Sequence, residues 1–169
     1  MARRSGVGAL AAAFALCAVA APALAQQDVG PVRVALFAGA RLGHETRPLF
    51  GLAGELELHG ALHGTWILAA AASTVSQREG SYAQYEVDAR WRPEGEGRLL
   101  PYVGGGAVLT RRSSLMAGGP TQTGYGGLAI AGVEIPLLGT TAFVEGLALE
   151  DGAFSAQLRG GVRLLLIGR

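Results

Sequence analysis

Residues 81–92 read Ser-Tyr-Ala-Gln-Tyr-Glu-Val-Asp-Ala-Arg-Trp-Arg, and polar and apolar side chains alternate along most of this stretch. A period of two places successive side chains on opposite faces of an extended strand. The stretch therefore predicts a β-strand with two unlike faces. The polar face carries Gln84, Glu86, Asp88, Arg90 and Arg92, and the apolar face carries Ala83, Tyr85, Val87, Ala89 and Trp91.

The same alternation recurs along the chain and predicts eight strands in all. The alanine run in the third strand would also suit a helix on propensity, but it lies between clear strands, and we predict a strand there. Each stretch is close to the ~9 to 11 residues that cross a bilayer when tilted. The other seven predicted strands are Val32–Leu42, Pro48–His59, His63–Ser73, Leu99–Thr110, Gly124–Leu137, Thr141–Leu149 and Phe154–Leu166.

Residues 1–25 have the features of a secretory signal peptide. Arg3 and Arg4 give a positive start, residues 7–21 form an apolar core, and Ala23-Leu24-Ala25 has the small residues of a cleavage site. We expect cleavage after Ala25, which leaves residues 26–169 as one domain. The single cysteine, Cys17, would leave with the signal, so the exported domain would contain no disulfide.

Composition excludes several classes of protein. Cleavage would remove Arg3 and Arg4, two of the 14 basic residues, and the remaining basic residues nearly balance the 13 acidic ones. The exported domain therefore has no strong excess of positive charge that would indicate nucleic acid as a partner. After residue 25 no apolar run reaches the ~18 to 20 residues of a membrane helix. The 27 glycine residues disfavour helices as well.

An exported chain of eight amphipathic strands predicts an all-β fold, a single eight-stranded antiparallel up-and-down transmembrane barrel. The predicted connections after the first, third and fifth strands are longer than most of the others, as expected when short turns face the periplasm. Trp66 and Trp91 near one end, with Tyr82 and Tyr85 near the other, would suit aromatic girdles at the two interfaces.

In such a barrel the polar parity faces inward. Eight strands enclose a lumen just wide enough for side chains to fill, and an unpaired buried charge is costly. We therefore predict that inward charges of both signs pair with one another. The members of this interior charge network would be Arg33, Arg41, Glu55, Glu57, Glu86, Asp88, Arg90, Glu134, Glu145, Arg159 and Arg163.

Several short motifs resemble the small outer-membrane β-barrel family, the OmpA- and OmpX-like eight-stranded barrels. They are Pro101-Tyr102-Val103-Gly104-Gly105-Gly106, Ala131-Gly132-Val133-Glu134, Phe143-Val144-Glu145-Gly146 and Gly161-Val162-Arg163-Leu164. The resemblance implies a porin-like, monomeric cell-envelope protein of a Gram-negative outer membrane, in contact with outer-membrane lipid.

The last strand resembles the assembly signal of that family, and this implies the outer-membrane assembly machinery as a partner. Arg159, Gly161, Leu164 and Leu166 match its polar-x-Gly-x-x-hydrophobic-x-hydrophobic spacing. The family usually ends on an aromatic residue, whereas this chain ends in Leu166-Ile167-Gly168-Arg169.

The sequence gives little support for catalysis, a metal or a cofactor. His59 and His63 are four residues apart, but no third ligand is evident. Some barrels of similar size are lipid A deacylases that use a His-x-Ser segment, and none of the three histidines has Ser two residues later. We therefore predict no enzymatic activity, no metal and no cofactor.

The leading hypothesis is an integral outer-membrane protein with a structural, envelope-integrity or surface-interaction role, with residues 111–123 as the contact surface. Two alternatives stay open. One is a narrow gated pore for small solutes, in which the inner charges form the gate. The other is a soluble periplasmic lipocalin-like barrel that binds a small apolar ligand, with the two faces inverted.

Overall fold

The computed structural model describes residues 28–42, 46–59, 64–77, 80–95, 97–114, 121–138, 140–151 and 154–167. These residues form eight antiparallel strands, each paired with the next along the chain. The strands are β1 (Asp28–Leu42), β2 (Arg47–His59), β3 (Gly64–Gln77), β4 (Gly80–Pro93), β5 (Leu100–Ser114), β6 (Gln122–Leu137), β7 (Thr140–Glu150) and β8 (Phe154–Ile167).

Pairing of β1 with β8 closes the sheet into a barrel, with Leu36 opposite Val162 near the middle of the seam. The predicted fold class, an eight-stranded antiparallel up-and-down barrel, is confirmed. The alanine run of β3 is strand, since its neighbours β2 and β4 supply partners along its whole length. The predicted signal peptide lies outside the described residues.

The start of β1, the end of β8 and the strand ends joined after β2, β4 and β6 lie at one end of the barrel, here called the terminal end. The strand ends joined after β1, β3, β5 and β7 lie at the other, here called the loop end. The connections at the loop end exceed those at the terminal end in length less clearly than predicted. Residues 74–77 continue the pairing of β3 with β4, which leaves 78–79 as the connection there, whereas 94–99 joins β4 to β5.

Side chains alternate between the lumen and the outer wall as the period of two requires. In β7, Phe143, Glu145 and Leu147 are buried, whereas Val144 between them is exposed. In β4, Val87 points outward with 67% of its surface exposed. These outward-pointing apolar side chains are exposed because they lie on the outer wall and not in the lumen. An apolar outer wall suits contact with lipid.

The outer wall is apolar over most of its height. Among the described residues of outward parity, charged side chains are Arg111 and Glu150, both at the loop end. The band between the ends therefore contains no exposed charge on the strands that the structure describes. Large apolar side chains exposed on it include Leu36, Phe50, Leu52, Tyr85, Val103, Tyr125, Val144, Phe154, Leu158, Leu164 and Leu166.

One aromatic expectation is wrong. Tyr82, expected in an interfacial girdle, lies inside the barrel with 1% of its surface exposed. It shares the inward parity of Gln84 and Glu86, so the alternation along β4 decides its side, and its position near a strand end does not. Trp66 and Trp91 have outward parity and are cross-strand partners near the terminal end.

Glycine allows close approach of the strands at the seam. A Cβ at Gly161 would lie 2.0 Å from the carbonyl oxygen of Leu36, on the neighbouring strand β1. Real Cβ atoms do not come this close to backbone, so a larger residue at this position would push the two strands apart. By contrast, a Cβ at Gly54 would meet no atom within 4 Å.

Candidate functional site

The lumen contains a continuous chain of ion pairs, here called the ladder, in which carboxylates and guanidinium groups alternate. Its members come from β1, β2, β4, β6, β7 and β8, and most are almost fully buried. In order from the middle of the barrel toward the terminal end, they are Glu86, Arg159, Glu145, Arg90, Glu55, Arg163, Glu134, Arg92, Glu57 and Arg33.

The inner half of the ladder is built around two arginines. Arg159 Nη1 donates to both Glu86 oxygens, at 2.9 Å and 2.8 Å, and Arg159 Nε donates to Glu145. Arg90 Nη1 donates to Glu55 at 3.1 Å and to Glu145 at 3.3 Å. Because each inner carboxylate contacts arginine, the charges largely offset one another in the low-dielectric lumen.

Asp88 forms a branch from the ladder. Arg90 Nε lies 2.6 Å from one Asp88 oxygen, and Arg90 Nη2 lies 3.2 Å from the other. A planar guanidinium can bind a carboxylate in this bidentate way, whereas a lysine ammonium cannot. Arg90 therefore serves three carboxylates and is the most highly connected residue of the ladder.

The outer half of the ladder reaches the terminal end. Arg163 Nε donates to Glu55 at 2.7 Å, and Arg163 Nη1 lies 3.1 Å from Glu134 Oε1. Arg92 then bridges Glu134 and Glu57, and Glu57 contacts Arg33 at 2.6 Å. The ladder thus ends in two arginines close to the terminal mouth.

Aromatic rings fill the space beside the guanidinium groups. The Arg159 guanidinium carbon lies 4.5 Å from the centre of the Phe37 ring, and that of Arg163 lies 4.1 Å from the Phe143 ring. Tyr102 donates its hydroxyl hydrogen to Glu145. Arginine stacks well on aromatic faces, so these rings make the ladder a packed plug with both polar and apolar parts.

Sequence reasoning missed the apolar part of the lumen. The inward parity also holds two hydrophobic clusters, which the expectation of a polar interior did not include. These residues share the inward parity with the charges, so a strictly binary pattern could have found them. The clusters are Ala35, Phe37, Leu49, Ala53, Ala71, Val75, Tyr82 and Phe143, and Tyr102, Val108, Leu128, Ile130, Leu147 and Leu149.

A separate cluster of charges lies inside the loop end. Arg41 and Tyr82 both bond to Asp151, and the Tyr82 hydroxyl lies 3.0 Å from an Asp151 oxygen. Arg112 lies 3.7 Å from the same carboxylate and 5.2 Å from the centre of the Tyr82 ring. Arg41 was expected in one network with the other inner charges, but this cluster contains none of the ladder residues.

The structure places the eleven charged residues named from the sequence on the inner side of the barrel. Ten of them are in the ladder or its branch, and Arg41 is in the loop-end cluster. Arg92, Asp151 and Tyr102 were not named. Arg92 lies on the polar parity of the opening stretch and was identifiable there, whereas the role of Asp151 depends on where the last connection lies.

The residues that match the assembly signal lie on both faces of β8. Arg159 and Gly161 point to the lumen, and Leu164 and Leu166 are exposed on the outer wall. Arg159 is engaged in the ladder. Residues 168–169 lie outside the described part of the chain.

Within the described ranges, no helix is long and apolar enough to cross a membrane. Among the same residues, no group of three or more His, Cys, Asp or Glu side chains has an arrangement that could hold a metal ion. His59 lies 3.9 Å from Glu57 at the terminal mouth, and His63 lies outside the described residues.

The closed eight-stranded barrel resembles the small eight-stranded outer-membrane barrels, and comparison with solved structures confirms that resemblance in fold. The N-terminal β-barrel domain of Pseudomonas aeruginosa OprF matches with a TM-score of 0.62 and 14% identity, covering 82% of this chain and 100% of that domain. Neisserial surface protein A matches with a TM-score of 0.59 and 15% identity, covering 82% and 99%.

The outer membrane enzyme PagL also matches, with a TM-score of 0.53 and 8% identity, covering 79% of this chain and 99% of that one. No family model and no curated protein sequence matches the chain. At these identities the similarity concerns the fold, and this fold carries both enzymes and proteins of other kinds.

Proposed function

We propose that this protein is an integral outer-membrane barrel with a structural or surface-interaction role, and that it neither catalyses a reaction nor conducts solutes. The apolar outer band and the charged lumen support insertion in a membrane, because each face meets the surroundings that suit it. The similar solved structures include outer-membrane proteins, which favours the same location.

The ladder is the observation that carries the proposal. Arg90, Glu145 and Arg159 link β4, β7 and β8 across the lumen, and each is no more than 2% exposed. Opening a path for solutes there would separate buried ion pairs, and breaking such a pair by removal of one partner costs about 3–5 kcal/mol. A lumen closed in this way favours a brace for the wall over a pore.

Planar bilayer recording tests the closed lumen. We expect no current steps above background from the folded wild-type barrel. As a positive control, the triple variant Asp88→Ala, Arg90→Ala, Glu145→Ala removes side chains from the middle of the ladder together with Asp88, which would otherwise lose its ion pair with Arg90, and we expect brief openings. Reproducible steps from the wild-type protein would instead support the gated pore.

Location is tested by fractionation together with heat-modifiable migration on a detergent gel. A folded membrane barrel should be found in the outer-membrane fraction and should migrate differently before and after boiling. N-terminal sequencing of that protein should begin at Gln26 if the proposed signal peptide is cleaved after Ala25. Recovery from the soluble periplasm without detergent would contradict the membrane location.

The soluble lipocalin-like alternative requires the opposite arrangement of faces. Such a protein binds an apolar ligand inside and presents polar side chains to water. Here Leu52, Val87 and Leu158 are more than half exposed on the outer wall, whereas Glu86 and Arg159 are buried in the lumen. A wall of this kind would aggregate in water, which supports the membrane barrel.

We propose further that residues 111–123 form the contact surface for other molecules and that the barrel is a monomer assembled through the signal in β8. Residues 111–114 and 122–123 belong to β5 and β6, and the connection between these strands is the longest at the loop end. Deletion of residues 115–120 should abolish surface contacts without changing heat-modifiable migration. Loss of folding would indicate a structural role for this connection instead.

A further inference from the structure

An open vestibule of about 530 Å³ occupies the terminal mouth of the barrel. It lies at the opposite end from the loops, and the ladder forms its floor. Its wall combines charged, hydroxyl and apolar side chains. The charged or titratable residues of the lining are Arg33, Glu57, His59, Arg92 and Arg163, and Pro136, Leu137 and Leu165 are among its apolar residues.

Glu57 also lines the vestibule, but the guanidinium groups beside it are the more exposed charges. The side chain of Arg33 is 21% exposed and that of Arg92 is 12% exposed, whereas Glu57 and Glu134 beside them are 3% and 1% exposed. The carboxylates lie deeper and are held by the arginines. A solute that enters therefore meets positive charge first, even though the ladder as a whole is nearly balanced.

The arginines retain hydrogen-bond donors for such a solute. A guanidinium has five N–H groups, and among the described residues Arg33 makes a single ion pair, from Nη1 to Glu57. At the floor, Arg163 Nη1 and Glu134 Oε1 form an ion pair at 3.1 Å, but neither atom makes a hydrogen bond. Buried polar atoms without a hydrogen bond are unfavourable, and a bound acceptor close to Arg163 Nη1 would supply the missing bond of that donor.

We infer that the vestibule is a binding site for a phosphate group. Arg33, Arg92 and Arg163 come from β1, β4 and β8 and surround the cavity from different directions. A tetrahedral phosphate accepts hydrogen bonds from several directions and binds well to arginine, whereas a planar carboxylate accepts from fewer. The apolar wall of Pro136, Leu137 and Leu165 leaves room for a carbon substituent, so the phosphate comes from a free ion or from a lipid headgroup.

The test is a titration of the folded barrel with inorganic phosphate, followed by NMR of the ¹⁵N-labelled arginine side chains. The detergent must be a glucoside or maltoside, because detergents with phosphate headgroups would compete for the site. We expect saturable shifts of the Arg33 and Arg92 signals, half complete at roughly 1–10 mM phosphate. Absence of saturation at ten times that range would overturn the inference.

Two variants decide where the phosphate binds. Arg33→Gln should weaken binding about tenfold, since it removes one charge-assisted contact, and it should still fold because Glu57 keeps Arg92. Arg112→Gln, at the loop end, is the matched control and should leave the titration unchanged. Equal affinity of Arg33→Gln and wild type, or loss of binding only in Arg112→Gln, would exclude the vestibule.

Short-chain phosphatidic acid, used below its micelle concentration, distinguishes the two sources of phosphate. Binding at least tenfold tighter than inorganic phosphate, with shifts of the Leu137 and Leu165 methyl signals, would assign a lipid headgroup. Equal affinity without methyl shifts would assign free phosphate. These results are independent of the conductance experiment, so the binding site and the closed lumen can fail separately.

Discussion

Replacement of Arg90 by Met removes the most highly connected residue of the ladder and leaves a shorter, uncharged and unbranched side chain. Asp88 then loses both of its hydrogen bonds, at 2.6 Å and 3.2 Å. Glu55 keeps Arg163, and Glu145 keeps Arg159 and Tyr102. The main consequence is therefore a single buried carboxylate without a cationic partner.

A buried charge that loses its partner costs about 3–5 kcal/mol, and we expect Arg90→Met to lower the free energy of unfolding by about 4 kcal/mol. Urea unfolding in lipid vesicles, followed by tryptophan fluorescence, measures this value. Trp66 and Trp91 on the outer wall supply the signal. The double variant Arg90→Met, Asp88→Asn should regain at least half of the loss, because it removes the unpaired charge.

Arg33→Met is the matched control at the open end of the ladder. Arg33 is partly exposed, and Glu57 still contacts Arg92 when Arg33 is gone. The expected loss is below about 1 kcal/mol, as for ion pairs in contact with water. Equal losses for Arg90→Met and Arg33→Met, or no recovery in the double variant, would refute the view that burial and connectivity set the energetics of the ladder.

Three further changes test other parts of the structure. Val87→Arg on the outer wall should lower the free energy of unfolding in vesicles by about 2–4 kcal/mol. Gln84→Ser in the lumen loses the hydrogen bonds to Gln157 and Glu86 and should lower it by about 1 kcal/mol. Similar values at both positions would mean that the faces are wrongly assigned. Gly161→Ala should cost about 1–3 kcal/mol through strain at the seam, with Gly54→Ala nearly neutral in the same assay. The paired Trp66 and Trp91 should be quenched more strongly by lipids brominated near the headgroup than by lipids brominated near the bilayer centre, and the reverse order would move the membrane boundary.

The sequence predicts the sides of the strands well because alternation is a local property. A side chain such as Glu86 lies inside or outside according to its neighbours one residue away, and no tertiary information is needed. The same rule places Tyr82 inside, whereas its aromatic ring near a strand end favours an interfacial position. For Tyr82, parity along the strand decides the side and residue type does not.

The pairing of the charges was beyond the sequence. Arg90 and Glu55 are 35 residues apart, and Arg163 and Glu55 are 108 residues apart. Which carboxylate each arginine meets depends on the stagger between strands and on closure of the sheet, and both are set by the whole barrel. The strands also extend beyond their predicted ends, because the pairing of strands such as β3 and β4 continues beyond the apolar band.

The ladder draws its partners from both ends of the chain, and this has a consequence for the order of folding. Glu55 on the second strand can reach Arg163 only after the last strand has docked beside the first. Interactions that form after the rate-limiting step slow unfolding without speeding folding. We therefore expect the ion pairs to form late in folding and to slow unfolding of the finished barrel. The rate of folding would instead depend on formation of the hairpins.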